Sequence, residues 1–156
     1  MRVLFVCTGN TCRSALAEAI GTRVATERGL RDVIVSSAGT STWDGAPASD
    51  GALLVGLERR LDLNSHRARQ VSREIVGEND LVLAMGPHHA ERLTALGGEG
   101  KTHLLTDYAE RCTSGRAIVD PFGGGLEIYR STADELERVV ELVFDRLVSE
   151  RPLGAP

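Results

Sequence analysis

The residues most suited to catalysis or anion binding lie in one short stretch near the start of the chain, CTGNTCRS. Five residues separate Cys7 from Arg13, and the stretch lies where an apolar run ends and a helical pattern begins. At such a strand–loop–helix junction, successive backbone N–H groups can point into one concavity and bind an oxyanion without a lysine. Gly9 permits the tight curl, and Asn10 tolerates the left-handed backbone that such curls often need.

The side chains of the same loop predict phosphoryl transfer. Arg13 carries a planar guanidinium fork that can clasp two phosphate oxygens. The Cys7 sulfur is expected at the floor of the concavity, where the N–H dipoles and Arg13 favour its thiolate form. An anion cradle that contains a thiolate nucleophile is suited to receive a phosphoryl group. The residues predicted to bind the phosphate are Thr8, Gly9, Asn10, Thr11, Cys12 and Ser14.

A second candidate lies far along the chain, at Asp120 in the segment DPFGGG. Displacement of a leaving group from phosphorus needs a proton donor opposite the nucleophile, and a carboxylic acid can supply one. Pro121 stiffens the entry to this segment, and the glycines after Phe122 allow it to move. Asp120 is therefore a candidate general acid; the alternative is that it only begins a turn.

Other uses of these residues fit the spacing less well. The loop lacks the lysine of the nucleotide-binding motif Gly-x4-Gly-Lys-Ser/Thr. Cys7 and Cys12 are not followed by a second cysteine pair, so no structural zinc site is predicted. A cysteine–histidine protease is disfavoured, because its mechanism does not require an arginine in an anion-binding loop. The remaining histidines, His88, His89 and His103, are assigned to the surface or the core.

The elements that must position these residues alternate between strand and helix. Strands are predicted over residues 2–7, 32–37, 81–85 and 102–105. Helices are predicted over residues 14–28, 48–60 and 87–96, with a helical turn over 72–77. Leu53, Leu54 and Leu57 are expected to face inward. The capping box TADE at residues 132–135 predicts the start of the last helix, which Pro152 ends.

Unbroken apolar strands joined by helices predict a parallel sheet covered on both faces. With right-handed crossovers, the expected fold class is α/β, a small doubly wound three-layer sandwich of about four parallel strands with helices on both faces. In such folds ligands bind beyond the carboxyl ends of the strands, which is where the loop over residues 7–13 lies.

Length and composition set broader limits. A chain of 156 residues predicts a single domain over residues 1–156. A formal net charge of −4 argues against nucleic acid as a partner. Neither a bilayer-spanning segment nor a signal peptide is apparent, so a cytoplasmic protein with no membrane partner is expected. The three cysteines form no even-numbered disulfide scaffold and are expected to be reduced.

Taken with its position, CTGNTCRS resembles the loop of the low-molecular-weight protein tyrosine phosphatase family. The segments SAGT (37–40), the loop around Trp43, SHRARQ (65–70), DLVLAM (80–85) and DPFGG (120–124) follow in that family's order. The resemblance therefore covers essentially the whole chain. It implies a cofactor-free phosphatase that acts on phosphorylated proteins through a cysteinyl-phosphate. A monomer or weak dimer is expected.

The resemblance also implies roles, position by position. Cys7 resembles the nucleophile, Arg13 the phosphate clamp and Asp120 the general acid. Ser37 and His66, together with Asn10 and Ser14, match positions that share the hydrogen bonds holding the loop in shape. The Ser14 hydroxyl can also donate to the Cys7 thiolate as it leaves phosphorus.

The nature of the phosphorylated residue depends on departures from the tyrosine-directed pattern. Thr11 and Gly123 stand where those members usually carry an apolar branched residue and a second aromatic, so the chain resembles the protein-arginine phosphatase branch; Gly86 also fits that branch. The Thr11 hydroxyl would be buried without a hydrogen-bond partner against a phenyl ring, which disfavours phosphotyrosine binding, and it can form a hydrogen bond with a phosphoguanidinium. Trp43 can stack on either group. SHRARQ resembles the tyrosine-directed pattern, so phosphoarginine is favoured and phosphotyrosine stays open. The predicted specificity residues are Thr11, Trp43 and Phe122.

Cys12 is predicted to have a redox role. Peroxide oxidises an accessible thiolate to a sulfenic acid, which a neighbouring thiol captures as a disulfide. The resemblance implies the same reversible inactivation; the alternative is that Cys12 only packs beneath the loop.

Two other functions fit the sequence less well. Thiol-linked arsenate reductases need two later cysteines, and only Cys112 follows. A silent phosphate-binding module would be expected to lack the nucleophile or the acid.

Overall fold

The computed structural model describes residues 1–150, which form one sheet of four parallel strands in the order β2-β1-β3-β4. The strands are β1 Arg2–Cys7, β2 Ile34–Gly39, β3 Leu81–Ala84 and β4 Thr102–Leu104. The helices are α1 Arg13–Glu27, α2 Asp50–Glu58, α3 Arg73–Glu78, α4 Pro87–Leu93, α5 Leu105–Glu110 and α6 Leu126–Ser149. A π-helical turn, Thr94–Gly98, continues α4.

Each face of the sheet carries its own apolar layer. Because side chains alternate along a strand, Val3 and Phe5 of β1 pack into the cluster that contains α1 and α6. Leu4 and Val6 enter a second cluster, on the face covered by α3 and α4. The predicted three-layer α/β sandwich is therefore confirmed.

The parallel register brings the carboxyl ends of the strands together at one edge. Cys7, the last residue of β1, lies beside Gly39, the last residue of β2. The Ile118 N–H donates to the Met85 carbonyl just beyond β3, at 2.8 Å. This bond attaches the segment that precedes Asp120 to the same edge. The sheet thus places residues from the two ends of the chain side by side.

The start of the last helix was predicted wrongly. The helix α6 begins at Leu126, with Gly125 as its N-cap, instead of at Thr132. The Thr132 hydroxyl donates to the Ile128 carbonyl at 2.9 Å within the helix. Asp134 pairs with Arg59 instead of capping. The TADE pattern matches a capping box locally, but its polar groups are used by other partners. Pro152, the predicted stop, lies outside the described residues.

The inward face of α2 was predicted correctly only at Leu53, which is partly buried and packs against the core. Leu54 and Leu57 are exposed, and the buried residues of the helix are Ala52, Val55 and Gly56. The small residues allow close packing: a Cβ at Gly56 would lie 2.7 Å from the Leu63 side chain. By contrast, the predicted apolar stripe of α6 is buried: Leu136, Val139, Val140, Val143, Phe144 and Leu147.

The sequence analysis does not predict the helix α5 and places its first residue, Leu105, in the last strand. None of the helices in residues 1–150 is both long enough and apolar enough to cross a membrane.

Gly39 is required by the close approach of β2 to the loop after β1. In Gly39→Ala, the new Cβ would lie 2.4 Å from the Thr8 carbonyl oxygen and 2.5 Å from the Thr42 methyl group. We expect this overpacking to lower the free energy of unfolding by about 2 kcal/mol, as measured by urea denaturation. The control is Gly77→Ala in α3, where no atom lies within 4 Å and the helix propensity of alanine should raise stability. Equal stability of the two variants would contradict the prediction.

Candidate active site

A cavity of about 210 Å³ lies at the carboxyl end of β1, at the edge where the strands converge. It brings together the predicted nucleophile, clamp and acid. The Arg13 side chain is only 6% exposed, and its Nη2 lies 3.6 Å from Asp120 Oδ2. Its Nη1 donates to the Ile118 carbonyl at 3.1 Å, which holds the guanidinium in place. The cavity is lined by Cys7, Thr8, Gly9, Thr11, Cys12, Arg13, Asp120 and Phe122.

Asn10 is buried at the turn of the loop and has the left-handed backbone that the sequence predicts, with φ of 57°. Its amide nitrogen donates to Ser14 Oγ at 2.8 Å and to Ser37 Oγ at 2.9 Å. Its side-chain oxygen accepts the Arg69 N–H at 3.1 Å. The Asn10 carbonyl lies 2.6 Å from His66 Nε2. Four hydrogen bonds therefore connect this one residue to three other segments, and the predicted supporting residues Ser37 and His66 lie in contact with it.

The hydroxyl of Ser14 is oriented toward the Cys7 sulfur by this network. Because the Asn10 amide nitrogen can only donate, Ser14 Oγ accepts from it and keeps its own proton for another acceptor. The nearest acceptor is Cys7 Sγ at 2.9 Å, whereas the Ala38 carbonyl lies at 3.4 Å. By the same reasoning, Ser37 accepts from Asn10 and donates to Glu18 Oε1 at 2.9 Å. Sequence reasoning missed Glu18, which lies in α1 on the inner side of the network.

Asp120 lines the same cavity as Cys7, on the segment before α6. Its side chain is 53% exposed, so it can exchange protons with water. One carboxylate oxygen accepts the Phe122 N–H at 3.1 Å, and the other faces Arg13. The arrangement combines a thiol with a hydroxyl donor, a guanidinium and a carboxyl group around one small cavity. It can hold a phosphoryl group, transfer it to sulfur and protonate the leaving group.

The predicted specificity residues occupy different positions. Thr11 and Phe122 line the cavity, and the Phe122 ring is 76% exposed at its rim. Trp43 is 87% exposed and is not among the described residues that line the cavity. Within residues 1–150, no group of three or more His, Cys, Asp or Glu side chains is arranged to hold a metal ion.

Cys12 lies in a polar recess that sequence reasoning did not foresee. Its sulfur is 3.1 Å from Ser49 Oγ and 3.5 Å from the Tyr129 hydroxyl. The two hydroxyls are themselves 3.3 Å apart. Burial and the neighbouring Cys12 raise the pKa of Tyr129. Cys7 and Cys12 are both free thiols and line the same cavity, and the disulfide between them stays a prediction.

His89 is the most important residue that the sequence did not assign to the site. It was placed in the surface or core class, and it is fully buried, as the first turn of α4 passes beneath the loop. Its Nε2 lies 2.8 Å from Thr8 Oγ1. Burial, followed by the charges of His88 and Arg13, lowers the pKa of His89 to about 4, against an opposing effect of Asp120. A signal was available: PHH begins two residues after the end of β3, at the edge where ligands bind.

Comparisons with known proteins agree with this geometry. A family model described as low molecular weight phosphotyrosine protein phosphatase matches residues 2–153. A protein-arginine-phosphatase of Bacillus subtilis is 35% identical over 151 residues, covering 97% of this chain and 99% of that protein. The low molecular weight protein-tyrosine-phosphatase PtpB of Staphylococcus haemolyticus is 36% identical over 137 residues, covering 87% and 92%. A solved structure of YwlE arginine phosphatase, a C7S mutant with phosphorylated active site serine, matches with a TM-score of 0.89 at 35% identity, covering 97% of this chain and 98% of that one.

The depressed pKa of His89 predicts a loss of stability in mild acid. The unfolded chain takes up this proton near pH 6.5, whereas the native protein does so only near pH 4. Stability is therefore fully present above pH 6.5 and falls as the pH decreases toward 4. Linkage gives a loss of about 2 kcal/mol between pH 7 and pH 5 from this residue. Urea denaturation should show a shallower pH dependence for His89→Gln than for the wild type; parallel curves would refute the assignment.

Proposed function

The chain belongs to the low molecular weight phosphotyrosine protein phosphatase family, and from that premise we propose that it removes phosphate from phosphoarginine in proteins. It is a protein phosphatase, a hydrolase. The proposal adds the chemical identity of the phosphorylated side chain and the roles of the residues in the cavity. Phosphorylated proteins are then its partners. A cytoplasmic location and a monomeric or weakly dimeric state stay predictions.

In the first step, the Cys7 thiolate attacks phosphorus while Arg13 clasps two phosphoryl oxygens. A sulfur–phosphorus bond forms, and the bond from phosphorus to the guanidino nitrogen breaks. Asp120 gives its proton to that nitrogen, so the phosphoguanidinium leaves as the guanidinium cation of arginine and Asp120 becomes a carboxylate. The presence of Cys7, Arg13 and Asp120 in the lining of one cavity supports this division of roles.

In the second step, a water molecule attacks the phosphorus of the cysteinyl-phosphate. Asp120, now a carboxylate, takes a proton from the water, and the sulfur–phosphorus bond breaks. The departing thiolate receives a hydrogen bond from Ser14 Oγ, which lies 2.9 Å from the sulfur. Inorganic phosphate is released and the site returns to its first state. The related YwlE mutant carries phosphate on its active-site serine, a covalent adduct of the kind proposed here.

The observation that favours phosphoarginine is the hydroxyl of Thr11 in the cavity wall. Thr11 Oγ1 has one polar contact among the described residues, at 3.7 Å from Cys12 Sγ, so it can accept a hydrogen bond from substrate. A phosphoguanidinium brings N–H donors to this wall, whereas a phenyl ring brings none and would leave the hydroxyl without a partner. The relative in Bacillus subtilis is named for the same activity.

Phosphotyrosine is the second candidate. Phe122 offers an exposed apolar ring at the rim of the cavity, where a phenyl group could pack against it. The relative PtpB is named as a tyrosine phosphatase at similar identity. Arsenate reduction is not supported, because Cys112 is exposed, contacts Asp107 and Ser114 and does not line the cavity.

The choice between the two substrates is tested by Thr11→Ile, assayed on phosphoarginine and phosphotyrosine peptides of the same sequence. The wild type should prefer phosphoarginine in kcat/KM. Loss of the hydroxyl and gain of an apolar wall should shift the preference toward phosphotyrosine by roughly ten- to two-hundredfold. Thr11→Ser keeps the hydroxyl and is the matched control, with the wild-type preference. Unchanged selectivity in Thr11→Ile, or a wild type that prefers phosphotyrosine, would favour the second candidate.

The acid role of Asp120 is tested by varying the leaving group. Asp120→Asn cannot donate a proton, so formation of the phosphoenzyme should slow by about 100-fold or more when the leaving group is basic. With an aryl phosphate whose phenolate leaves without a proton, the defect should shrink to within tenfold. Pre-steady-state rates measure this step directly, and Cys7→Ser provides the inactive baseline. An equal loss on both substrates would remove Asp120 from the acid role.

A further inference from the structure

Two sets of side-chain contacts hold the phosphate loop, residues 7–13. The mechanism proposed above involves the set around Asn10 and assigns no role to the other. Asn10 connects the loop to β2, α1 and the segment before α3. A separate contact joins the loop to α4, where Thr8 Oγ1 lies 2.8 Å from His89 Nε2. Thr8 lines the catalytic cavity, and its carbonyl accepts the Ser41 N–H at 3.0 Å. Its hydroxyl is therefore the link between a buried histidine and the space where phosphate would bind.

The protonation of His89 decides what the Thr8 hydroxyl can do. A fully buried imidazole with a pKa near 4 is neutral at neutral pH and carries one N–H. Nδ1 is buried and has no hydrogen-bond partner among the described residues. A buried N–H without an acceptor is rarer and costlier than a lone pair without a donor. The proton therefore belongs on Nε2, which makes His89 the donor to Thr8 Oγ1.

We propose that His89 is a positioning residue for phosphate binding: its Nε2–H donates to Thr8 Oγ1 and directs the Thr8 hydroxyl proton into the cavity, onto a phosphoryl oxygen. The proposal rests on the phosphatase function proposed above and adds a contact between the Thr8 hydroxyl and the substrate. Because the Thr8 oxygen accepts the hydrogen bond from His89, the hydroxyl proton stays free to be donated to the anion.

The neutral state of His89 suits this role. Arg13 already supplies a buried positive charge to the cavity. A second cation beneath the loop would hold the dianionic product more tightly and slow its release. A neutral imidazole orients the hydroxyl without adding charge, and it keeps doing so throughout the neutral pH range because it does not titrate there.

The experiment measures inorganic phosphate as a competitive inhibitor, together with kcat and KM for an aryl phosphate, at pH 7. His89→Leu removes the donor, and Thr8→Val removes the hydroxyl; each should raise the inhibition constant of phosphate about tenfold. The double variant should be no worse than Thr8→Val alone, because both changes break the same chain of hydrogen bonds. His89→Gln, whose amide nitrogen can donate from a similar position, and Thr8→Ser should remain within threefold of the wild type.

His88→Leu is the matched control. Its ring lies against that of His89, with centroids 3.8 Å apart and the planes tilted by 41°, but it makes no described hydrogen bond to the loop, so phosphate inhibition should be unchanged. A wild-type inhibition constant in His89→Leu, additive effects in the double variant, or a folded His89→Gln as weak as His89→Leu would each overturn the proposal. If His89→Leu does not fold, nitrogen NMR of the wild type decides the question: a proton on Nδ1 contradicts the proposal, and an Nε2–H resonance that shifts with added phosphate supports it.

Failure of this proposal is distinguishable from failure of the proposed function. The substrate preference is measured on the wild type and on variants of Thr11, with phosphorylated peptides. Phosphate inhibition through His89 and Thr8 is measured with inorganic phosphate and does not depend on which phosphorylated residue the enzyme prefers.

Discussion

The left-handed backbone of Asn10 is the constraint on which the active site depends. An L-residue adopts this conformation at a cost of about 1 kcal/mol, and Asn10 is buried besides, where an unpaired amide would cost more. Four hydrogen bonds offset both costs. Their partners come from β2, the start of α1 and the segment after α2, so the loop keeps its curl only in the folded protein.

The orientation of the sulfur's neighbours follows from this residue. Because Asn10 donates to Ser14, the Ser14 proton points toward Cys7, and because it donates to Ser37, the Ser37 proton points toward Glu18. A buried polar network of this kind has few alternative arrangements, since a break would leave a buried group unpaired. The same preorganisation means that little rearrangement is needed when charge develops on the phosphoryl group.

The guanidinium of Arg13 supplies the positive charge of the site. Its guanidinium is buried, with the half-exposed carboxylate of Asp120 3.6 Å away and the Ile118 carbonyl as a shorter partner at 3.1 Å. A buried cation that is only partly compensated is unfavourable in the empty protein and is stabilised by a bound dianion. The central position of β1 makes this possible, because both neighbouring strands end beside it and carry Gly39 and the Ile118 segment to the cavity.

The sequence by itself determined the parts of the protein that depend on neighbours along the chain. The strand–loop–helix junction, the left-handed Asn10, the buried stripe of α6 and the parallel sandwich all follow from local spacing and apolar periodicity. The types and order of Cys7, Arg13 and Asp120 were sufficient to indicate phosphoryl transfer. The tertiary structure decided whatever joins distant segments. His89 meets Thr8 across 81 residues, Tyr129 meets Cys12 across 117, and TADE was misread because Asp134 pairs with Arg59 across 75. A side chain's spacing to its neighbours along the chain carries no information about such partners, because only the packing of the sheet and helices brings them within hydrogen-bond distance.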